Sequence, residues 1–171
     1  AIRNCTIFIT RINEATVKSE ADRSRWKAEA HLLRAYYYSE LLKWFGPVLP
    51  ISHEPFEFSD DFSALEKASY YDVAKFIMED CDVAINTAEL PWRITTNGEA
   101  GRVNKAMAEA IKSKMILFAA SPLNNGEQNY WQEAYEVNKA SLQNLRSNGY
   151  ELYNKVNLPQ TYLSDVAFIG P

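Results

Sequence analysis

The chain has 171 residues, 47% of them hydrophobic and 23% charged, with a net charge of −4 and a pI near 5.3. That is enough apolar material for one domain with a real core, and it excludes a disordered chain. The acidic balance, with no basic run, excludes a protein that tracks nucleic-acid phosphates, and no window is long and apolar enough to span a bilayer.

Ile2, Cys5, Ile9 and Ile12 recur at helical spacing and predict a short amphipathic helix with Asn13 near its end. A charged connector, Glu14–Glu20, follows. The organising element comes next, a helix from about Asp22 to Phe45. Trp26, Ala30, Leu33, Tyr37, Leu41 and Trp44 make its apolar stripe, while Arg34 and Lys43 fall off it. Gly46 and Pro47 stop it. Such aromatic area needs covering, since burying one large apolar side chain stabilises by roughly 1.5–3 kcal/mol.

Gly46 to Ala68 carries Pro47, Pro50 and Pro55 and has no helical period, so it reads as a long loop. Ser69–Tyr70–Tyr71–Asp72 has the capping-box pattern and opens a third helix, with the stripe Val73, Phe76, Ile77, Cys81 and Ala84. Leu90–Pro91 ends it. A second loop, Pro91 to Arg102, holds Trp92, Arg93, Asn97 and Gly98. Asn104 caps a fourth helix with Ala106, Ala108 and Ala110 on a smooth face and Ile111, Met115 and Phe118 as its stripe. Ser121–Pro122 and Asn124–Asn125–Gly126 form a break and turn. A fifth helix buries Trp131, Ala134, Tyr135, Leu142 and Leu145 and ends at Asn148–Gly149. Tyr150–Tyr153 is a short apolar, extended or turn-like piece, and the tail after Asn154 reads as loop.

Strand signals are nearly lacking, so the fold class is all-α: tetratricopeptide-like antiparallel helix pairs with long loops, in one helical domain over residues 1–171. Both ends read as cut, which makes the domain a part of a longer protein. Cys5 and Cys81 read as buried structural thiols. His31 and His53 are isolated from both, so no metal site is expected. No nucleophile elbow or glycine-rich phosphate loop occurs, and neither a catalytic residue nor a cofactor is expected.

Several ordered stretches resemble the SusD/RagB family of surface nutrient-binding lipoproteins of Bacteroidetes. Leu33–Arg34–Ala35–Tyr36–Tyr37–Tyr38 with Trp44–Phe45–Gly46–Pro47–Val48–Leu49–Pro50 resembles the family's central signature. Tyr71, Val73, Phe76, Ile77, Asp80 and Ala84 resemble its next helix. Gly101–Arg102–Val103, then Ala120–Ser121–Pro122–Leu123–Asn124, then Trp131, Ala134, Ala140 and Asn148–Gly149–Tyr150–Glu151–Leu152 follow in the family's order. The resemblance implies a longer protein on the outer face of the outer membrane, anchored by a lipidated cysteine that neither Cys5 nor Cys81 matches. It implies a SusC-like TonB-dependent transporter as partner, and oligosaccharide or peptide as cargo. It also implies a helical scaffold with aromatic loops above it as the binding surface.

Sugar binding needs flat aromatic faces for the apolar side of the ring, and amides or Arg for its hydroxyls. Trp92 and Arg93 in one loop, and Asn124 and Asn125 in another beside Tyr130, fit that need and are the candidate ligand-binding residues. Competing readings are that Trp92 folds back onto the core and that Asn124–Asn125–Gly126 is turn chemistry alone. Phe56, Phe58 and Phe62 are expected to pin their loop to the helices. Arg34, among aromatics, is expected in a structural ion pair with Glu29 or Glu40, whereas Asp60–Asp61 and Glu79–Asp80–Asp82 read as solvated surface. The function expected is non-catalytic oligosaccharide binding; the alternative is a helical scaffold that holds a protein partner and no sugar.

Overall fold

A computed structural model describes residues 1–47, 50–63 and 65–152. Val48 and Leu49 of the signature stretch, Tyr153 and the tail lie outside the described residues. The elements are α1 (Ile2–Arg11), a 3-10 turn (Ile12–Glu14), α2 (Glu20–Phe45), α3 (Tyr70–Asn86), a 3-10 turn (Asn97–Glu99), α4 (Lys105–Ala119) and α5 (Trp131–Ser147). No strand occurs among the described residues, and the all-α expectation holds.

The helix ends follow local chemistry. The Ser19 hydroxyl accepts from the Asp22 amide at 3.1 Å. Ser69 and Asp72 form the full capping box, each side chain bonding the other's backbone. Asn104 accepts from the Met107 amide at 3.0 Å. Gly149, at φ +77, places the Tyr150 amide 3.0 Å from the Leu145 carbonyl. That is a Schellman stop, and a side chain bearing Cβ would strain it.

Consecutive helices run antiparallel. Tyr38 of α2 meets Phe76 of α3 edge-on at 5.2 Å between ring centres, while His31, earlier in α2, meets Asp80, later in α3. The same reversal joins α4 to α5, where Ser141 and Asn144 meet Glu109 while Asn138 meets Ser113. All loops therefore gather at two ends of the layer.

The buried face of α2 is Ala28, Leu32, Ala35, Tyr38 and Leu42, which is not the stripe read from the sequence. At about 100° per residue the two faces lie roughly 160° apart, nearly on opposite sides of the helix, and of the stripe only Ala30 is buried. Large side chains dominate a reading by size, but close helix approach selects small ones. Ala28 and Ala35 of α2 share one core cluster with Ala74, Cys81 and Ala84 of α3. Trp26 and Leu33 instead border a cleft with Phe8 of α1. Tyr37 and Leu41 are half-buried, and Trp44 is 77% exposed.

One buried polar cluster joins the first three helices. Arg34 of α2 is fully buried and donates from Nε to Asp80 Oδ2 at 2.7 Å and from Nη2 to Asp80 Oδ1 at 2.8 Å. His31 Nδ1 lies 2.6 Å from the same Oδ1, and Arg34 Nη1 reaches the Thr6 hydroxyl of α1 at 3.3 Å. Asp80 is thus core rather than solvated surface, and it is the partner of Arg34. The carboxylates expected in that role are engaged elsewhere, Glu29 by Arg25 and Arg102, Glu40 by Lys43. Burial alone would raise the Asp80 pKa, but hydrogen bonds from Arg34 and His31 outweigh it and hold the carboxyl below its usual range.

Helix α5 also departs from expectation. Trp131, Tyr135 and Leu142 remain about half exposed, at 48%, 57% and 48%. Only Ala134 and Ser141 of α5 are fully buried. Polar bonds supply much of the α4–α5 seam: Ser141 and Asn144 donate to the buried Glu109 at 2.6 and 2.7 Å. Cys81 is a free buried thiol, raised by burial; Cys5 is free and half-buried, so the buried-thiol reading holds for Cys81 and only in part for Cys5.

Candidate functional site

The four candidate ligand residues fall at opposite ends of α4. Helix α4 has 15 residues, which separates its ends by about 22 Å. Trp92 and Arg93 sit at its N-terminal end, beside the end of α5. Asn124 and Asn125 sit beyond its C-terminal end, beside the start of α5. The structure does not bring the four into one cluster.

At the first end, the 91–104 loop is tied down by several contacts. The Pro91 carbonyl accepts from the Lys105 amide at 3.0 Å. The Trp92 carbonyl accepts from the Tyr150 hydroxyl at 2.6 Å, and its ring lies 5.9 Å from the Lys105 ammonium. Arg93 donates to the Gly149 carbonyl at 3.0 Å and stacks over the Tyr150 ring at 4.6 Å. The Trp92 backbone and the Arg93 side chain therefore bind this loop to the end of α5, while the Trp92 ring faces the start of α4, with Arg93 still exposed. Arg102 grips Glu29 of α2 with two bonds, at 3.0 and 2.6 Å, and closes the loop from the other side. This rigid turn presents the indole, the guanidinium and the exposed Asn97 amide.

At the second end, Asn124 is committed to its turn. Its amide donates to the Phe118 carbonyl at 3.0 Å and to the Ser121 hydroxyl at 3.2 Å, satisfying the end of α4. Asn125 accepts from the Glu127 amide at 3.1 Å through its oxygen, which leaves its N–H groups for another partner.

Beside this turn lies an arrangement that the sequence pattern missed. Tyr71 and Tyr130 stack face to face, 3.9 Å apart and 4° from parallel. The Tyr71 hydroxyl donates to Glu133 at 2.7 Å, and the Lys75 ammonium donates to the other Glu133 oxygen at 3.0 Å. Burial, then the Glu133 bond, pushes the Tyr71 pKa up to about 12. Burial works against ionisation of Glu133, yet its bonds from Tyr71 and Lys75 hold it below the usual carboxylate range. The stack joins residues 59 positions apart in the chain, which no local spacing can show.

Exposed aromatic area gathers at this same end. Trp44 and Phe45 at the end of α2 are 77% and 64% exposed. Trp131 opens α5, and Leu123 is 90% exposed in the turn before it. Of the three Phe expected to pin the long loop, Phe56 and Phe62 pack on each other at 5.7 Å, but Phe58 is fully exposed. No group of His, Cys, Asp and Glu among the described residues could hold a metal ion. What the end can do chemically is stack, donate and accept hydrogen bonds.

No protein-family model and no curated protein matches the sequence. Solved structures do match. A SusD-like protein from Bacteroides fragilis is 28% identical over 88% of this chain and 26% of its own, with a TM-score of 0.71. A laminarin-binding SusD-like protein is 27% identical, covering 83% of this chain and 27% of its own, with a TM-score of 0.65. Surface glycan-binding protein A from Bacteroides thetaiotaomicron, in complex with laminarihexaose, shares the fold at 18% identity, covering 95% of this chain and 29% of its own, with a TM-score of 0.68. The chain therefore spans little more than a quarter of the length of these structures. Over most of its own length the chain is similar to SusD-like proteins.

Proposed function

We propose that this SusD-like chain is the helical part of a non-catalytic cell-surface binding protein that holds oligosaccharide for uptake. The observation that carries the reading is the second end of the layer, where the Asn125 turn, with its amide N–H groups free, leads into the Tyr71–Tyr130 stack and exposed Trp131, and where Trp44 at the end of α2 is exposed too. Aromatic faces cover the apolar side of a pyranose, and amides meet its hydroxyls. The laminarin-binding protein and the laminarihexaose complex among the matched structures support a glycan as cargo. Asn125 is the contact proposed at this end; Asn124 positions the turn. Trp92 and Arg93 offer a second contact at the opposite end, on a loop braced for rigidity. By the family resemblance, the parent protein is lipid-anchored on the outer face of the outer membrane. It works there with a SusC-like TonB-dependent transporter.

Calorimetric titration of an oligosaccharide panel separates the two ends. Asn125→Ala and Trp131→Ala weaken binding if the second end holds the sugar, and Trp92→Ala does so if the first end does. Unchanged affinity in any variant removes that residue from the site. Sugar recovered intact after incubation agrees with binding alone, and shortened sugar contradicts it.

A second reading, a scaffold for a protein partner, is favoured by one observation: an apolar groove lies open between α4 and α5.

A further inference from the structure

We propose that Glu133 sets the specificity of the second end: it locks the aromatic stack in place and neutralises the Lys75 ammonium beside it, so that the end takes uncharged sugars and gives acidic, uronate-bearing ones no partner. The inference rests on the glycan reading of that end and names the class of glycan.

Tyr71 and Lys75 stand one turn apart on α3, and both reach Glu133 in the first turn of α5. The Tyr71 hydroxyl donates to Glu133 Oε2 at 2.7 Å, and the Lys75 ammonium donates to Oε1 at 3.0 Å. Each carboxylate oxygen thus has its own donor. Tyr130, just before α5, stacks on Tyr71 at 3.9 Å and 4° from parallel. The bond that fixes the Tyr71 ring therefore fixes the plane against which Tyr130 rests. A carboxylate in the first turn of a helix suits the helix dipole whichever way it points. The dipole does not account for its crossing to α3; holding the stack and Lys75 together does.

The charged groups that bear on the stack are Glu133, Asp72 and Lys75. Lys75 lies 5.9 Å from the Tyr71 ring centre, and its side chain is 41% exposed. Asp72 is the carboxylate of the α3 capping box. Two carboxylates therefore surround one ammonium. A sugar carboxylate arriving here meets a cation already paired and a net negative field. A neutral ring meets the aromatic plane without that repulsion.

Neutral hexasaccharides and hexauronates titrated against the intact chain test this. The parent is expected to bind at least one neutral hexasaccharide and each hexauronate at least tenfold more weakly. Glu133→Gln keeps a carbonyl for the Tyr71 hydroxyl but turns an amide N–H2 toward Lys75, which releases the ammonium. It is expected to leave neutral binding within about threefold and to strengthen a hexauronate by about fivefold, the scale of one partly exposed charge pair. Adding Lys75→Met is expected to cancel that gain, which a merely structural role for Glu133 would not produce. Tyr71→Phe and Glu133→Ala break the same bond. Each is expected to weaken neutral binding by about tenfold, and together by no more than either alone. Circular dichroism checks the fold, and the Glu133→Gln arm stands if Glu133→Ala does not fold. Equal binding of both sugar classes by the parent, no hexauronate gain in Glu133→Gln, a gain that survives Lys75→Met, or additive losses would each overturn the proposal. If Trp131→Ala and Asn125→Ala weaken neutral binding while the Glu133 variants change nothing, the proposal alone fails. No binding of any hexasaccharide removes the glycan reading and this proposal with it.

Discussion

Arg34 and Asp80 are the residues on which the interior turns. A buried charge left alone is costly, and breaking such a pair typically loses about 3–5 kcal/mol. Asp80→Ala is therefore expected to lower unfolding stability by about that much in urea titration; a loss under about 1 kcal/mol would contradict the pairing. Because the folded pKa of Asp80 is held down, its contribution is present above the unfolded carboxyl value and disappears as pH falls through the folded one. Asp80→Asn is expected to flatten the acid limb of the stability curve. Tyr71 works with the opposite sign. Its pKa is raised to about 12, so its contribution is complete below the ordinary tyrosine value of about 10 and is lost as pH climbs toward the folded value. Unfolding melts of Tyr71→Phe against the parent between those limits check this, with the parent expected to lose more. That Arg34 sits in an ion pair was legible from its place among aromatics. Its partner was not, because Asp80 lies 46 positions away on another helix and reads locally as one acid among several.

At the scale of elements, the starts and stops were the legible part. Ser69, Asn104, Gly46 and Gly149 do what their chemistry dictates because capping is local. Ser69→Ala is expected to cost about 1 kcal/mol. Facing is not local, and it misled twice. Helix α2 has apolar side chains on most of its circumference, since α1, α3 and α4 all pack against it. No single stripe then marks the core side, and the aromatics drew attention to the wrong one. Leu32→Ala, in the fully buried face, is expected to cost about 2–5 kcal/mol, whereas Trp44→Ala is expected to stay within about 0.5 kcal/mol. Equal costs would restore the stripe through Trp44. Helix α5 shows the converse. Its period is that of a buried face, yet its large residues stand open, and polar bonds through Glu109 contribute to the seam with α4. Periodicity reports that a face is meant to be covered, not what covers it.

For the molecule as a whole, antiparallel order decides where function can sit. Each reversal sends loops to alternate ends, so Trp92 and Asn124 were bound to separate once five helices followed one another. The family likeness was legible because its marks are strung along the chain: the Trp44–Phe45–Gly46–Pro47 stop, the Gly101–Arg102 entry, the Ser121–Pro122 turn. The Tyr71–Tyr130 stack was hidden because it exists only after α3 and α5 are brought side by side. The central claim is that the aromatic and amide end holds a glycan and leaves it intact. Calorimetric titration of the intact chain with the oligosaccharide panel, with chromatography of the recovered sugar, tests it most directly. Saturable binding of at least one oligosaccharide, abolished by Trp131→Ala with Asn125→Ala and with the sugar unshortened, is the expected result. Binding that survives both changes, or no binding across the panel, would contradict it.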